Sequence, residues 1–351
     1  MELLVLDTSF QSKFIIDTFN SCIWTDRYNK YGDFEIFTNV DSNLLLNCKQ
    51  EYYLWSAHSD RNMIVEQISI KTDIEDGPSL TISGRSLEVI LERRIIWGQK
   101  VLTGNLQDSI EVLLNENIIN PANVDRKIPN FIFKRSTDPT ITALTIDAQF
   151  YGEDLYTAIQ SLCEANSIGF KITLNELNQF VFELYVGADR TYDQTNNPYV
   201  LFSPKFDNLL NSSYLETNTS LKNVTLVAGE GEGSARKTVS VGTATGLDRR
   251  EILTEATDIS TTTSSGTLTE AQYLEQLTNR GNEALAAATS TVTFDGELEA
   301  GKMFQYGVDF FIGDIVQIEN EYGMLGTTRV TEFITAQDTN GISAYPTFEA
   351  V

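Results

Sequence analysis

Apolar and polar positions alternate with a period of two through the first eighty residues, in the runs LLVLD, SKFIIDTF, CIWTDRY, DFEIF, EYYLWSA, MIVEQISIKTDI and SLTIS. Gly, Asn and Asp turns separate them, which is the pattern of short half-buried strands. Phe34 and Ile36 fall on one side with Glu35 opposite, and Ile68 and Ile70 on one side with Ser69 and Lys71 opposite. Several strands at such spacing predict a small barrel or sandwich up to about Ser83.

The period then lengthens to that of a helix. In GRSLEVILERRIIW, residues Leu87, Ile90, Leu91 and Ile95 predict one apolar face, with Glu88, Glu92 and Arg93 outside it. NLQDSIEVLLNENIINP predicts a second helix with Asn105 as N-cap, Asp108 at its third position, a face of Leu106, Ile110, Leu113, Leu114 and Asn117, and a stop before Pro121. YGEDLYTAIQSLCEANSIGFKITLNELNQFVFELYVG predicts a third, on Leu155, Ala158, Ile159, Leu162 and Cys163, with Gly169 ending the turn. Two strands follow, with Phe170, Ile172 and Leu174 on one side of the first and Phe180, Phe182, Leu184 and Val186 on one side of the second. A helix laid on a hairpin is an α+β module.

From Tyr199 the period returns to two, in YVLFS, SSYLE, NVTLVAG, RKTVSVG and RREIL. The Ser/Thr-rich TEATDISTTTSSGTL predicts an exposed connection. It leads to a helix over about 269–289, with Thr267 and Glu270 as a capping box and Leu274, Leu277, Ala284, Leu285 and Ala288 as its face. STVTFDGELE, YGVDFFIGDIVQIEN, TTRVTEFITA and GISAYPTFEA predict the last strands.

Composition narrows what such a chain can bind. With 351 residues and 41% hydrophobic positions it can build more than one core. Lys and Arg number 25 against 49 Asp and Glu, a formal net of -24. Stable nucleic-acid binding is disfavoured, because such affinity comes mostly from cations that displace condensed counterions. Cys22, Cys48 and Cys163 are odd in number and lack metal-ligand spacing, which fits free thiols, with Cys163 a core residue. MELLVLDTSF has no basic region ahead of its apolar run, so no signal peptide is expected, and no apolar stretch reaches the roughly 20 residues of a spanning helix, so no membrane insertion is expected.

Candidate chemistry is sparse. His58, the one histidine, sits in the polar turn WSAHSDRN without a GxSxG elbow, and surface placement is favoured over a triad. Forty-nine carboxylates guarantee that some pair lies at glycosidase separation, so their number carries no evidence for hydrolysis. Asp73, Glu75 and Asp76 before Gly77 miss the spacing of an EF-hand loop and fit a turn between strands. NVTLVAGEGEGSARKTVSVG sets Gly229, Gly231 and Gly233 after an apolar run, as a phosphate loop does. Yet Glu230 and Glu232 would repel a phosphate, and a β-branched strand, not a helix, follows. The glycines therefore predict a flexible hairpin tip with positive φ permitted at each. No catalytic, cofactor-binding or metal-ligating residue is expected.

In order along the chain, RYNKYGDFEIF, ISGRSLEVILERRI, YGEDLYTAIQSLCEANSIGFKI, FELYVGADRT, LFSPKFDNLLNSSY, NVTLVAGEGEGSAR and FFIGDIVQIEN resemble the hub proteins of bacteriophage tail baseplates. These are the siphophage tail-associated proteins of the ReqiPepy type, similar in fold to the hub of contractile tails. The resemblance implies a mainly β fold with α+β insertions: two related small, tube-like β-barrel domains and peripheral α+β domains. On this chain it implies an N-terminal barrel over 1–83, an α+β domain of three helices and a hairpin over 84–198, and a second barrel region over 199–351 with the inserted helix at 269–289.

It also implies a homotrimeric, non-enzymatic hub in the virion, assembled in the host cytoplasm. Such a hub joins the hexameric tail tube and distal tail protein to the tip or receptor-binding proteins, meets the tape-measure protein, and forms part of the DNA exit channel. A lumen sharing the chain's negative sign would let DNA slide without sticking. Some family members continue into a hydrolase or fibre; this chain stops after YPTFEAV, so no such domain is expected. Two other function classes remain: a cell-wall or polysaccharide hydrolase using a carboxylate pair, and a carbohydrate-binding adhesin. The adhesin would use Tyr52, Tyr53 and Trp55, although alternation predicts half-buried strand residues there.

Overall fold

The computed structural model describes residues 1–74, 77–209, 212–263, 266–296, 303–323 and 325–351. The N-terminal alternation forms seven strands: β1 (Leu3–Leu6), β2 (Ser12–Ile16), β3 (Ser21–Arg27), β4 (Asp33–Asn39), β5 (Tyr53–Ser56), β6 (Met63–Asp73) and β7 (Gly77–Ser86). A short helix, α1 (Ser42–Asn47), lies between β4 and β5, capped where the Asp41 carboxylate accepts from the Asn43 N–H. Phe34 and Ile36 are buried and Glu35 exposed, so the alternation in β4 is that of a one-sided strand.

The middle of the chain carries β8 (Gln99–Asn105), α2 (Leu106–Leu114), β9 (Phe131–Lys134), α3 (Pro139–Ala143), β10 (Thr145–Tyr151), α4 (Leu155–Ala165), β11 (Gly169–Leu174) and β12 (Phe180–Tyr185). Asn105 caps α2 by accepting from the N–H groups of Gln107 and Asp108, and Leu106, Ile110, Leu113, Leu114 and Asn117 are all buried. β11 and β12 form the expected hairpin, and β9 adds in parallel to β12.

The remainder contributes β13 (Leu201–Phe202), β14 (Ser212–Thr217), β15 (Val224–Ala228), β16 (Thr238–Val241), β17 (Glu251–Glu255), β18 (Thr262–Thr263), β19 (Gly266–Thr267), α5 (Glu270–Ala287), β20 (Thr291–Gly296), β21 (Ile315–Glu319), β22 (Leu325–Asp338) and β23 (Gly341–Ala350). β16, β15 and β17 make a small sheet under α5, closed by Val227, Val241, Tyr273 and Leu277.

The largest sheet joins the two ends of the chain. Its strands run β14-β20-β23-β22-β3-β4-β7-β6-β5-β1-β2, with β21 and β13 added at β22. β22 pairs with β3 from Glu332↔Arg27 to Asp338↔Ser21, so the N-terminal and C-terminal β regions share one hydrogen-bonded surface. Among the described residues this path is open, and neither β region closes on itself as a barrel. One core lies under the N-terminal strands, with Trp24, Ile36, Leu54 and Ile82, and another under the C-terminal ones, with Tyr28, Phe202, Phe310 and Phe348.

Several expectations are corrected. The segment at Leu87 is a 3-10 helix, Leu87–Arg93, and Glu88 faces the interior, fully buried, because a cation awaits it there. The turn after α4 is made by Ser167 at φ 54°, not by Gly169, which is already in β11. The α5 capping box is Thr269 with Gln272, and its buried face is Tyr273, Gln276, Leu277 and Gly281. In the Ser/Thr-rich connection, Ala256 and Ile259 are buried against that helix, so the passage is not wholly exposed. Asp73 pairs with Gly77 at a hairpin, as a turn reading requires; Glu75 and Asp76 lie outside the described residues.

Candidate functional site

The most concentrated polar chemistry lies where three parts of the chain meet. Arg61 enters from the turn just before β6, Glu88 from the 3-10 helix, Tyr185 from the end of β12, and Asp26 and Tyr28 from β3 and its exit. Arg61 and Glu88 form an ion pair with side chains 3% and 0% exposed. Arg61 also donates to the Arg27 carbonyl and to the Tyr185 hydroxyl, each at 3.0 Å. Glu88 accepts from the Ser86 hydroxyl and from the Ile172 N–H at 2.9 Å, which ties it to β11. Two buried charges survive in such a place because each is met by the other and by further hydrogen bonds from its surroundings.

The network continues outward. The Tyr185 hydroxyl donates to the Tyr28 carbonyl and the Tyr28 hydroxyl to the Ser167 carbonyl, each at 3.1 Å. Arg329 of β22 lies 5.1 Å over the Tyr28 ring and donates to the Gly313 carbonyl at 2.8 Å. Side chains at Gly169 or Gly313 would collide with that ring, a Cβ at either falling 2.5 Å from it, and Gly313 adopts φ +95°. A Cβ at Gly187 would fall 1.9 Å from Gly313. Tyr28 is thus a knob in a hole that only glycines can line.

Beside this junction lies a cleft of about 690 Å³ lined by His58, Asp60, Arg61, Lys171, Tyr185, Arg190, Tyr306 and Asp314. Its cations are already paired: Lys171 with Asp60 at 2.5 Å and Arg190 with Asp314 at 2.5 Å. His58 is exposed, with no imidazole hydrogen bond among the described residues. Asp26 is 3% exposed; its two oxygens accept from the Trp24 indole at 3.0 Å and from the Ser59 hydroxyl at 2.7 Å. Burial pushes its carboxyl up to about 6 against the pull of Arg61 and Ser59. Asp60 moves the other way, below the usual carboxylate range, because Arg61 and Lys171 outweigh its partial burial.

Two carboxyls driven apart are the mark of acid and base partners in hydrolases. Here the raised member, Asp26, is walled in by indole and hydroxyl and does not line the cleft, so it has no path to a ligand. Ser59 bonds Asp26, and among the described residues the His58 imidazole bonds neither a serine nor a carboxylate. The arrangement locks three chain segments together. Glu88 and Arg61 were invisible as partners in the sequence because 27 positions separate them; an acid among four apolar neighbours in SLEVIL was the available signal.

The other residues singled out from the sequence sit elsewhere. Tyr53 stacks on Phe10 at 5.1 Å and Tyr52 packs on the N-terminal core, both half-buried, while Trp55 is 43% exposed. Cys22, Cys48 and Cys163 are buried free thiols, and burial pushes Cys22 and Cys48 up to about 12 and Cys163 higher still. Among the described residues no group of three or more His, Cys, Asp or Glu is placed to hold a metal ion, and no helix is long and apolar enough to cross a membrane.

The glycine stretch is the hairpin between β15 and β16. Gly231 and Gly233 adopt φ +104° and +56°; Gly229 does not, and is glycine because a Cβ would fall 2.3 Å from the Tyr273 hydroxyl. That hydroxyl accepts from the Glu230 N–H at 2.7 Å, Glu230 accepts from Thr261 at 2.9 Å, and Lys237 pairs with Glu270 at 2.7 Å. The tip is braced against α5, where a flexible one was expected.

The family model described as Siphovirus ReqiPepy6 Gp37-like protein matches residues 2–348. Among solved structures, the 43 kDa tail protein of prophage MuSo2 from Shewanella oneidensis is similar at TM-score 0.61 and 11% identity, over 99% of this chain and 98% of that one. A tail protein from Neisseria meningitidis gives TM-score 0.59 and 12% identity over 99% and 95%. The prophage tail protein gp18 from Listeria monocytogenes gives 0.56 and 14% over 99% and 94%. At these identities the likeness is one of fold. Among curated proteins no match to the sequence is found.

Proposed function

Starting from the fact that the chain belongs to the Siphovirus ReqiPepy6 Gp37-like family, we propose that this phage-tail structural protein is the baseplate hub at the distal end of the tail. In this reading three copies form a ring that continues the hexameric tube, and 1–83 and 199–351 supply its two tube-like domains, with 84–198 peripheral. The ring surrounds the DNA exit channel and joins tube, distal tail protein and tape-measure protein to the tip or receptor-binding proteins of the virion. It needs no cofactor.

The observation that carries the reading is the sheet in which β3 and β22 pair. One continuous surface through both β regions gives each copy a wide, rigid wall, which a channel needs and a monomeric binding domain does not. The buried polar junction supports the same role: Arg61, Glu88 and Tyr28 hold the wall and the α+β region in one orientation. The charge of -24 suits a passage that must not retain DNA.

Light scattering with negative-stain imaging tests the reading. Three-fold rings, or caps on tail tubes, are expected. A monomer at every concentration, or clearing of cell wall in a zymogram that is lost on Asp60→Asn, overturns it in favour of a soluble module or a hydrolase respectively.

A further inference from the structure

We propose that Arg94 and Arg126, with the exposed Trp97 beside them, form a docking site for an acidic segment of another tail protein, whose carboxylate bridges the two guanidinium groups. This rests on membership of a tail-protein family alone and stands whether or not the ring forms.

The site is built from a residue that packing does not explain. Asn117 is a polar side chain on the buried face of the helix that α2 begins, 3% exposed, and the backbone around it widens into a π-helical turn, Asn115–Ile119. Such turns recur at functional sites. The Asn117 amide donates to the Leu113 carbonyl at 2.9 Å, and its oxygen accepts from the Arg126 guanidinium at 2.9 Å. Arg126 also donates to the Ile95 carbonyl and lies 4.3 Å over the Trp97 ring. Arg94 is held in turn, donating to the Arg126 and Arg93 carbonyls, each at 2.8 Å. A buried amide, a π turn and three carbonyls thus fix two cations within range of each other.

Neither cation meets a carboxylate among the described residues. Partial burial, and then the Arg94 charge, push the Arg126 guanidinium below its ordinary value, the reverse of what an ion pair does. The neighbouring acids are spent elsewhere: Glu51 on Arg93, Glu116 on Lys100, and Asp154 as the cap of α4. In a chain with 49 acids against 25 Lys and Arg, two adjacent cations without a counter-charge point to one supplied from outside. The bonds named use two of the five N–H groups of each guanidinium, leaving three on each to give.

The rim decides the kind of anion. Trp97 is 61% exposed, Ile95 47% and Val124 76%, and Lys127 is exposed with no ion pair among the described residues. Arginine and tryptophan are the residues that dominate binding between proteins, and a guanidinium fork matches a carboxylate with two parallel hydrogen bonds. A nucleic acid would meet the same cations but also the repulsion of a chain at -24. The occupant that fits carries an Asp or Glu next to an apolar side chain, the acid on the arginines and the apolar group on Trp97 and Val124.

The test uses the full chain. The probes are short overlapping peptides covering the other tail proteins of the same virion, with peptides from this chain's own acidic stretches and a single-stranded oligonucleotide for comparison. Peptides with an acid beside an apolar residue should be retained. By fluorescence anisotropy, the best of them should bind Arg94→Gln and Arg126→Gln about tenfold more weakly, the worth of one charge-assisted hydrogen bond, and Arg126→Lys should restore only part of the loss. Lys127→Glu, at a side chain without structural partners, should also weaken binding with the thermal midpoint unchanged, which separates loss of the site from loss of the fold. Trp97→Ala should weaken binding at low and high salt alike, whereas the arginine effects shrink as salt rises. Retention of no acidic peptide, equal binding by the arginine variants, or a preference for this chain's own peptides or for the oligonucleotide each overturns the site. None of these readouts depends on how many copies assemble, so a wild type that stays monomeric overturns the ring and leaves the site.

Discussion

Removing one member of the Arg61–Glu88 pair is the sharpest perturbation the fold offers. Glu88→Gln keeps the volume and one acceptor for the Ile172 N–H but takes away the charge, leaving a guanidinium 3% exposed with neutral partners only at Arg27, Tyr185 and Phe170 and a carboxylate 3.7 Å away at Asp60. Breaking such a buried pair costs about 3–5 kcal/mol, because the surviving charge keeps its desolvation penalty without its compensation. Replacing both members by apolar residues, as in Arg61→Met with Glu88→Leu, removes that penalty and should cost clearly less than the sum of the single changes. Urea unfolding followed by tryptophan fluorescence is suited to the measurement: Trp24, 2% exposed, is bonded to Asp26, whose carboxyl feels the Arg61 charge, whereas Trp55 and Trp97 are already 43% and 61% exposed. A Glu88→Gln protein within about 1 kcal/mol of wild type, against the several expected for an orphaned buried charge, would refute the junction as the lock between the segments.

Asp26 makes the folded state bind a proton more readily than the unfolded one, with a carboxyl raised from 3.8 to about 6. Its contribution is fully present below the unfolded value and is lost as pH rises from about 4 through 6, so Asp26→Asn should flatten the stability profile over that window, measured by denaturation at a series of pH values. The three thiols should stay silent to Ellman's reagent in the native protein and all react in guanidinium; a native thiol reacting at the rate of a free one would contradict their burial. Gly231→Val places a Cβ 2.9 Å from the Ala235 carbonyl at φ +104°, which should cost about 1–3 kcal/mol of local strain and loosen the tip. With Gly233→Val added, assembly or DNA release should suffer while the rest of the subunit remains folded; normal infectivity of that pair would remove the tip from the mechanism.

Period-two alternation was legible wherever one face of a strand is buried and the other wet, as in β4, and helical faces wherever a cap and a full stripe coincide, as at Asn105 and Leu106 to Asn117. What escaped depends on distant partners. Glu88 reads as a surface acid until Arg61 is placed beside it, and Gly229 and Gly169 read as turn glycines until the Tyr273 hydroxyl and the Tyr28 ring arrive. The shift of the capping box from Thr267 to Thr269 is smaller in kind: two threonines, each followed by a suitable partner, compete, and the one continuous with Tyr273 and Leu277 wins through packing. The pairing of β3 with β22 crosses some three hundred residues, and no local pattern announces it.

β14 and β20 are partners in one antiparallel pair, and Thr217 faces Thr291 at its end, with Lys222 donating to the Ala288 carbonyl just beyond. Everything between, the small sheet with α5, leaves and re-enters the chain at neighbouring points, as an inserted domain does. In genetic terms it is a cassette. A short turn could replace it without altering the register of a single strand in the large sheet, and a different domain could be spliced in its place. Variation among related tails is therefore expected to accumulate by exchange at this doorway, while the wall behind it stays constant.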